Sequence, residues 1–404
     1  MANQPYYPRE RRPVRARSWR ITQRVAALLV RRGVSPGAIS IAGMVAGVGA
    51  GASLAATAET DWPSAEGGGD VNLSTRERLF GFEHALDHPV TIAIVAAVAL
   101  ALVLAPAVIF LLRRLGRIDS TQRDELMKRY RSWLVLVPLM AIPVLAGAAF
   151  TILAICVLSL LCYREFARAT GLFREKIISL VVVMAILAVT FAVFDNWYGF
   201  FVALGPLSIA SIAASGIFPD RPKGYLQRVA LGVLAFMLFG SGLGHLGYFA
   251  NDANYRPILL ALVVAVEAND VFAYVVGKTL GRRKLAPNTS PNKTIAGAAG
   301  AFLLTTALFA VLGHYVFRST ALDHPVHLLV LGAIVSVVGQ LGDLMLSSVK
   351  RDLGIKDMGV TIPGHGGLLD RFDSLILVAP AVFHYVNYFL GVALNQEPRI
   401  ITGG

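Results

Sequence analysis

The side chains with the clearest chemical potential lie in one polar segment near the C-terminal end, residues 347–373. This segment carries four cations and four aspartates, and it sets a histidine between glycines. Aspartate oxygens are ligands that Mg²⁺ prefers, and lysine and arginine offset the negative charge of a phosphoryl group during its transfer. The pattern therefore indicates chemistry on a bound polyphosphate. The residues concerned are Lys350, Arg351, Asp352, Lys356, Asp357, His365, Asp370, Arg371 and Asp373.

The glycines of this segment suit an anion, and its last two aspartates have two interpretations. Gly364, Gly366 and Gly367 would let backbone N–H groups approach an anion closely. Asp370 and Asp373 lie three residues apart at the expected start of the last helix. There they would serve a metal site, or they would cap the helix and match its dipole.

Three further carboxylates interrupt apolar runs. Glu267 and Asp270 are three residues apart, hence on one face of a helix, and Asp343 follows Gly342 near the end of another run. A charged side chain inside a membrane helix is costly, so such residues are candidates for function by default.

An upstream polar loop also has two interpretations. Ser290, Lys293 and Thr294 precede a helix that we expect to begin at Ile295. Hydroxyls and a lysine beside a helix start would cradle a phosphate. A basic loop with a Ser-Pro turn between two membrane spans has the same composition.

The composition defines the class of fold that must position these groups. Hydrophobic residues make up 55% of the 404 residues, charged residues only 15%, and the mean hydropathy is +0.62. These values exclude a disordered chain, a coiled coil and an ordinary cytosolic enzyme. Apolar runs of about twenty residues recur, which predicts an all-α, polytopic integral membrane protein with about 10–11 transmembrane helices. The net charge of +12 resides mainly in short loops and indicates an inner-leaflet bias, with no nucleic acid as partner.

Loop charges predict the path across the membrane. Residues 1–32 carry nine arginines and form a basic cytoplasmic arm, with no signal-peptide core. Residues 33–125 add a transmembrane helix pair with an extracytoplasmic loop, and residues 126–404 form the main membrane domain. The 31 residues from Trp133 to Tyr163 carry no charge and would make a helix about 46 Å long. We therefore expect two helices of about fifteen residues that turn near Gly147.

The predicted spans follow from these considerations, with the N-terminus inside and the later basic loops inside. They cover about residues 39–58, 90–112, the pair within 133–163, 177–194, 198–218, 229–249, 257–277, 295–317, 327–349 and 374–394.

The motifs described above resemble those of the phosphatidate cytidylyltransferase (CDP-diacylglycerol synthase) family. The family signature is matched with its spacing intact from Ser347 to Asp373, Gly342-Asp343 resembles its G-D element, and Asp270 to Gly277 resembles its D-x-x-A-Y-x-x-G stretch. The chain departs from the family at Ile295 and Ala296, where an aromatic and an acidic residue are usual.

The resemblance implies that CTP and phosphatidic acid react to give CDP-diacylglycerol and pyrophosphate at a cytoplasm-facing site of the cell membrane. It implies Mg²⁺ held by Asp343 and Asp370, and phosphate binding by cations near them. The implied catalytic residues are Asp343, Lys350, Arg351, Asp370 and Asp373, and the implied substrate-binding residues are Asp270, Ser290, Lys293, Thr294, Lys356, His365, Gly366, Gly367 and Arg371.

Two rival functions stay open. One is a CTP-using enzyme for another membrane lipid, such as a polyprenol kinase or an ether-lipid cytidylyltransferase. The other is a transporter, although the polar residues cluster in late loops and the chain has no internal repeat. A second, monovalent cation beside Mg²⁺ and assembly as a homodimer also stay open.

Overall fold

The computed structural model describes residues 79–359, 366–392 and 399–402. Within them, ten helices are long and apolar enough to cross a membrane. The chain is therefore a multi-pass, all-α membrane protein, as expected. The helices are α1 Pro89–Arg114, α2 Ser120–Ala146, α3 Ala148–Thr170, α4 Lys176–Phe194, α5 Tyr198–Ser215, α6 Tyr225–Phe249, α7 Tyr255–Thr279, α8 Ile295–Val316, α9 Pro325–Asp352 and α10 Leu369–Leu390.

The N-terminal predictions are tested only in part. The basic arm and the first expected span, residues 39–58, lie outside the described residues, and α1 confirms the second span. The loop expected over 113–132 is wrong, because α2 begins at Ser120. Asp119 caps this helix, since its side chain accepts from Gln122 N while the Gln122 side chain accepts from Asp119 N. The charged residues that follow are good helix formers, so the helix extends well beyond the apolar run.

The uncharged stretch 133–163 breaks at Gly147, as predicted. Gly147 has φ 139°, a backbone conformation that L side chains rarely adopt, and a Cβ there would collide with the carbonyl oxygen of Leu79. The two helices have 27 and 23 residues, so the expected length of about fifteen is wrong. Each helix takes in charged residues beyond the uncharged stretch. In particular, α3 continues to Thr170 through part of the expected loop 164–176.

The last four helices pack in chain order, α7 on α8, α8 on α9 and α9 on α10. Small residues allow these helices to approach closely. A Cβ on Gly297 would lie 3.0 Å from Gly277 Cα, and a Cβ on Gly342 would lie 2.6 Å from the carbonyl oxygen of Asp373. The C-terminal end of α9 therefore lies directly against the N-terminal end of α10.

A short antiparallel hairpin joins α7 to α8, a detail that the all-α prediction did not include. Its strands are β1 Lys284–Ala286 and β2 Ser290–Thr294, with Lys284 opposite Thr294 and Ala286 opposite Ser290. The hairpin forms in the segment before Ile295, which was expected to be a loop. It holds Lys293 at a defined position above the helix ends.

Asp195, between α4 and α5, ties down the C-terminal segment 399–402. Its Oδ1 accepts from Ile401 N at 2.5 Å and Thr402 N at 3.1 Å, and its Oδ2 accepts from the Thr402 hydroxyl at 2.6 Å. Burial raises the pKa of Asp195, but these hydrogen bonds and the nearby Arg399 outweigh it, so the pKa lies below the usual value.

Candidate active site

The first element of the site is an ion pair that joins the hairpin to α9. Lys293 Nζ lies 2.5 Å from Asp343 Oδ2, and the Ser347 hydroxyl donates to Asp343 Oδ1 over 3.1 Å. Both charged side chains keep about a fifth of their surface exposed. The strand β2 thus places a lysine over the one aspartate of α9 that interrupts the apolar run.

A second ion pair joins the end of α9 to the start of α10. Lys350 Nζ donates to Asp370 Oδ1 over 2.9 Å, and both side chains are buried. The other oxygen of Asp370 accepts the backbone N–H groups of Met358 and Gly367, each at 3.0 Å. Both oxygens of Asp370 are therefore bound by donors of the protein itself.

Three carboxylates from three helices form the interior of the site. Asp270 of α7 and Asp373 of α10 each interact electrostatically with Asp343 of α9 and with each other. Lys293 and Arg371 are the cations that act on Asp270, and Lys350 acts on Asp373. Residues far apart in the chain are thus brought together at one end of the four helices, where α7 and α9 end and α8 and α10 begin.

Beneath this cluster lies a polar network that the sequence reasoning missed. Asn269 Oδ1 accepts from the Ser336 hydroxyl at 2.6 Å and from the Thr305 hydroxyl at 3.1 Å, which links α7, α8 and α9. Asn269 Nδ2 and Ser374 Oγ are buried and have no hydrogen-bond partner among the described residues. The signal was available, because Asn269 precedes Asp270 inside an apolar run.

Glu165 is the second residue that sequence reasoning missed. It was assigned to a cytoplasmic loop, but it lies in α3 and is 7% exposed. Its Oε1 accepts from Leu368 N at 3.0 Å and its Oε2 from Leu369 N at 2.8 Å. Nothing in the local pattern of α3 indicates that this residue reaches the start of α10.

The remaining predicted residues lie around the two ion pairs, and some already have structural partners. The Thr294 hydroxyl caps α8 by accepting from Gly297 N, and Ser290 pairs within the hairpin. Arg351 donates to the carbonyl oxygens of Thr289 and Ile355, which ties the end of α9 to the hairpin. Their roles in binding substrate stay predictions.

The glycine turn and its surroundings are placed only in part. Gly366 has φ 85°, which favours glycine, and the N–H of Gly367 is donated to Asp370 rather than left free for a ligand. Lys356 is exposed, and His365 lies outside the described residues. The described part of this turn therefore does not present a cradle of free backbone N–H groups.

The predicted metal pair is divided between the two ion pairs, Asp343 with Lys293 and Asp370 with Lys350. Among the described residues, no group of three or more His, Cys, Asp or Glu side chains is arranged as a metal site. Mg²⁺ usually takes only one or two carboxylates and completes its shell with water and substrate phosphate. Asp343, with Asp270 and Asp373 as its electrostatic neighbours and the unpartnered Ser374 hydroxyl next to Asp373 in the chain, fits that chemistry.

Comparison with known proteins identifies relatives for most of the helical bundle. A model of the cytidylyltransferase family matches residues 127–389. The chain is 28% identical to the uncharacterized protein YnbB of Escherichia coli over 280 residues, which cover 68% of this chain and 91% of the relative. It is 44% identical over 128 residues to the phosphatidate cytidylyltransferase of Bacillus subtilis, 31% of this chain and 46% of the relative. A phosphatidate cytidylyltransferase of Rickettsia bellii is 40% identical over 144 residues, 35% of this chain and 62% of the relative. The alignments thus span about half to two thirds of these two enzymes.

Proposed function

Because the chain belongs to the cytidylyltransferase family, we propose that it transfers the cytidylyl group of CTP to phosphatidic acid. The products are CDP-diacylglycerol and pyrophosphate, as the names of the Bacillus and Rickettsia relatives suggest. The matched part of the chain includes all the residues of the site described above.

One observation carries the proposal. Three cations and three carboxylates converge at one end of a membrane-spanning bundle: Lys293, Lys350, Arg371, Asp270, Asp343 and Asp373. The phosphate of a lipid lies at the membrane surface, and a nucleotide reaches that surface from water. A site of this kind suits a reaction between a water-soluble polyphosphate and a lipid phosphate.

The chemistry requires two anions to meet. An oxygen of the lipid phosphate attacks the α-phosphorus of CTP, the bond between the α-phosphorus and its bridging oxygen breaks, and pyrophosphate leaves. A phosphate dianion carries its own electron pair, so the step needs no general base. Lys293, Lys350 and Arg371 offset the mutual repulsion and the charge on the leaving group.

We propose Mg²⁺ as the cofactor, with Asp343 as its principal ligand and with Asp270 and Asp373 beside it. When bound, the ion would supply positive charge that offsets the repulsion between the two anionic substrates. Asp370 is only 5% exposed and accepts two backbone N–H groups, whereas Asp343 is 22% exposed and its donors are side chains. We therefore propose that Asp370 positions the turn before α10 instead of holding the ion.

We further propose that this end of the bundle faces the cytoplasm at the cell membrane. The net charge of the chain is +12, and basic residues in short loops favour the inner side. CTP is a cytoplasmic metabolite, so this orientation gives the site access to its substrate. A homodimer and a second, monovalent cation are kept as predictions.

The test is an assay of purified protein in detergent with radiolabelled CTP, Mg²⁺ and separate lipids. The panel contains phosphatidic acid, an ether-linked phosphatidic acid and a polyprenol, and the labelled lipid is identified by chromatography. We expect a CDP-lipid from phosphatidic acid. Phosphorylated polyprenol as the sole product would replace the proposal with a lipid kinase, and no lipid product at all would reject it.

A matched pair of variants links the activity to the site. Asp343→Asn should abolish CDP-lipid formation. Asp323→Asn should leave it unchanged, because Asp323 pairs with His314 at the opposite end of α8 and α9. Both aspartates are about equally exposed, at 22% and 18%. Equal activity in the two variants would contradict the assignment of Asp343.

A further inference from the structure

Glu165 is a buried anion that touches the active-site turn from a distant helix. It lies in α3, about 200 residues before the turn, and its carboxylate accepts the N–H groups of Leu368 and Leu369. The two hydrogen bonds measure 3.0 and 2.8 Å, and both are made to a carboxylate. The side chain therefore contacts the backbone at the point where α10 begins.

This contact supplies a cap that α10 otherwise lacks. The residue before the helix is Leu368, which has no side chain able to accept a hydrogen bond, and no side-chain cap from the flanking residues is present. The first N–H groups of a helix need acceptors, and negative charge is favoured there by the helix dipole. Glu165 provides both from α3, so the start of α10 is fixed by a residue outside its own segment.

Two glycines enclose the same carboxylate. A Cβ on Gly359 would lie 2.8 Å from Glu165 Oε1, and a Cβ on Gly367 would lie 2.6 Å from Glu165 Oε2. Neither glycine has a positive φ, so space, not backbone conformation, accounts for the absence of a side chain at both positions. Gly359 and Gly367 thus both lie directly against the Glu165 carboxylate.

Asp370 binds two further backbone N–H groups of the same region. Its Oδ2 accepts from Met358 N and Gly367 N, while Glu165 accepts the next two N–H groups along the chain. Four backbone donors of the turn therefore point at two carboxylates of the protein. The first five residues of α10, which follow at once, include Asp370, Arg371 and Asp373.

We propose that Glu165 is a positioning residue. Its carboxylate packs against Gly359 and Gly367, binds the N–H groups of Leu368 and Leu369, and thereby sets the direction of the first turn of α10. The inference rests on the proposed function in so far as it concerns catalysis. The contact itself concerns the conformation of the turn and can be tested without any activity.

The primary test is Glu165→Gln, with activity and amide hydrogen exchange measured on the same preparation. The glutamine oxygen can accept one N–H, but its NH₂ group faces the other N–H, so one charge-assisted bond is lost. Such a bond contributes enough for a change of about tenfold or more. We expect kcat/KM per folded protein to fall by that factor, and amide exchange of Leu368 and Leu369 to speed up similarly.

Two companion variants separate positioning from general stability. Glu165→Asp keeps the charge but withdraws the carboxylate by one methylene, so it should restore part of kcat/KM relative to Glu165→Gln. Glu175→Gln removes a carboxylate from the connection after α3, where it faces Arg228 at 3.6 Å, and should change neither measurement. A purely structural Glu165 would lower the folded yield and leave kcat/KM and local exchange at wild-type values.

A steric variant tests the same contact independently, should Glu165→Gln fail to fold. Gly359→Ala introduces a Cβ against Glu165 Oε1 and should give the same joint loss of kcat/KM and of amide protection at Leu368 and Leu369. The proposal would be overturned if the variants that fold kept wild-type kcat/KM and wild-type amide exchange at Leu368 and Leu369. If the wild-type protein makes no CDP-lipid, the proposed function fails, while the exchange measurement still decides the role of Glu165.

Discussion

Replacing Lys293 by methionine should lower kcat/KM and should also lower the Mg²⁺ concentration that the enzyme requires. Lys293 lies 2.5 Å from Asp343 Oδ2 and is one of three cations at the site. Loss of a charged hydrogen bond to a substrate phosphate costs about 1.5–3 kcal/mol, which corresponds to about 10- to 100-fold in kcat/KM. The same change frees Asp343 from its ion pair. Mg²⁺ and Lys293 would otherwise compete for this carboxylate, so the Mg²⁺ requirement should fall.

The size of the second effect follows from the exposure of the pair. The two side chains are 19% and 22% exposed, so their attraction is screened and is worth about 1 kcal/mol. The Mg²⁺ concentration for half-maximal activity should therefore decrease about fivefold in Lys293→Met. It should increase in any Asp343→Asn protein that retains measurable activity, because a ligand is lost.

The assay is a Mg²⁺ titration of CDP-lipid formation at saturating CTP and phosphatidic acid. Lys284→Met provides the control, since Lys284 lies in the same hairpin, opposite Thr294, and is exposed. It should leave both the activity and the Mg²⁺ requirement unchanged. An unchanged or raised Mg²⁺ requirement in Lys293→Met would refute the competition between the lysine and the ion.

Three further predictions concern other parts of the fold. Asp370→Asn should lower kcat/KM by tenfold or more without changing the Mg²⁺ requirement, in contrast to Asp343→Asn, and a Mg²⁺ titration distinguishes the two roles. The folded-state pKa of Asp195 is depressed, so its stabilising contribution is present above the unfolded pKa and is lost as the pH falls through the lower, folded value. Below about pH 4 the C-terminal segment should become accessible to carboxypeptidase, whereas Asp195→Asn should show that accessibility already at neutral pH. Gly147→Ala should destabilise the protein by roughly 2 kcal/mol or more, visible as a lower thermal unfolding temperature in detergent, because its φ of 139° and the nearby Leu79 carbonyl leave no room for a side chain.

Most of the helical architecture could be predicted from the sequence, because the length of an apolar run depends only on neighbouring residues. The runs that became α4, α7, α8 and α9 were assigned to within four residues at each end. The break at Gly147 followed from simple length, since an uncharged helix of that extent does not fit a bilayer. Helix ends were less accurate where charged helix formers continued beyond the apolar run, as at the start of α2.

The site was predictable as a set of residues but not as a set of contacts. Asp343 and Asp370 were paired because both match motifs of one family, yet each has its own lysine in the fold. Which lysine faces which aspartate depends on the hairpin and on how α9 meets α10, and neither is encoded in local spacing. Glu165 illustrates the same limit, because its partners lie about 200 residues further along the chain.

The charges of the site explain why these contacts are needed at all. Asp270, Asp343, Asp370 and Asp373 are gathered within one end of the bundle, and Lys293, Lys350 and Arg371 are the cations among them. Burying charge without a partner is expensive, so the two ion pairs allow the helices to assemble before any substrate arrives. The two pairs differ in their further donors, because Asp370 also accepts two backbone N–H groups, whereas the donors on Asp343 are side chains. We therefore expect the Lys350–Asp370 pair to stay in place and the Lys293–Asp343 pair to open when a metal-bound polyphosphate binds.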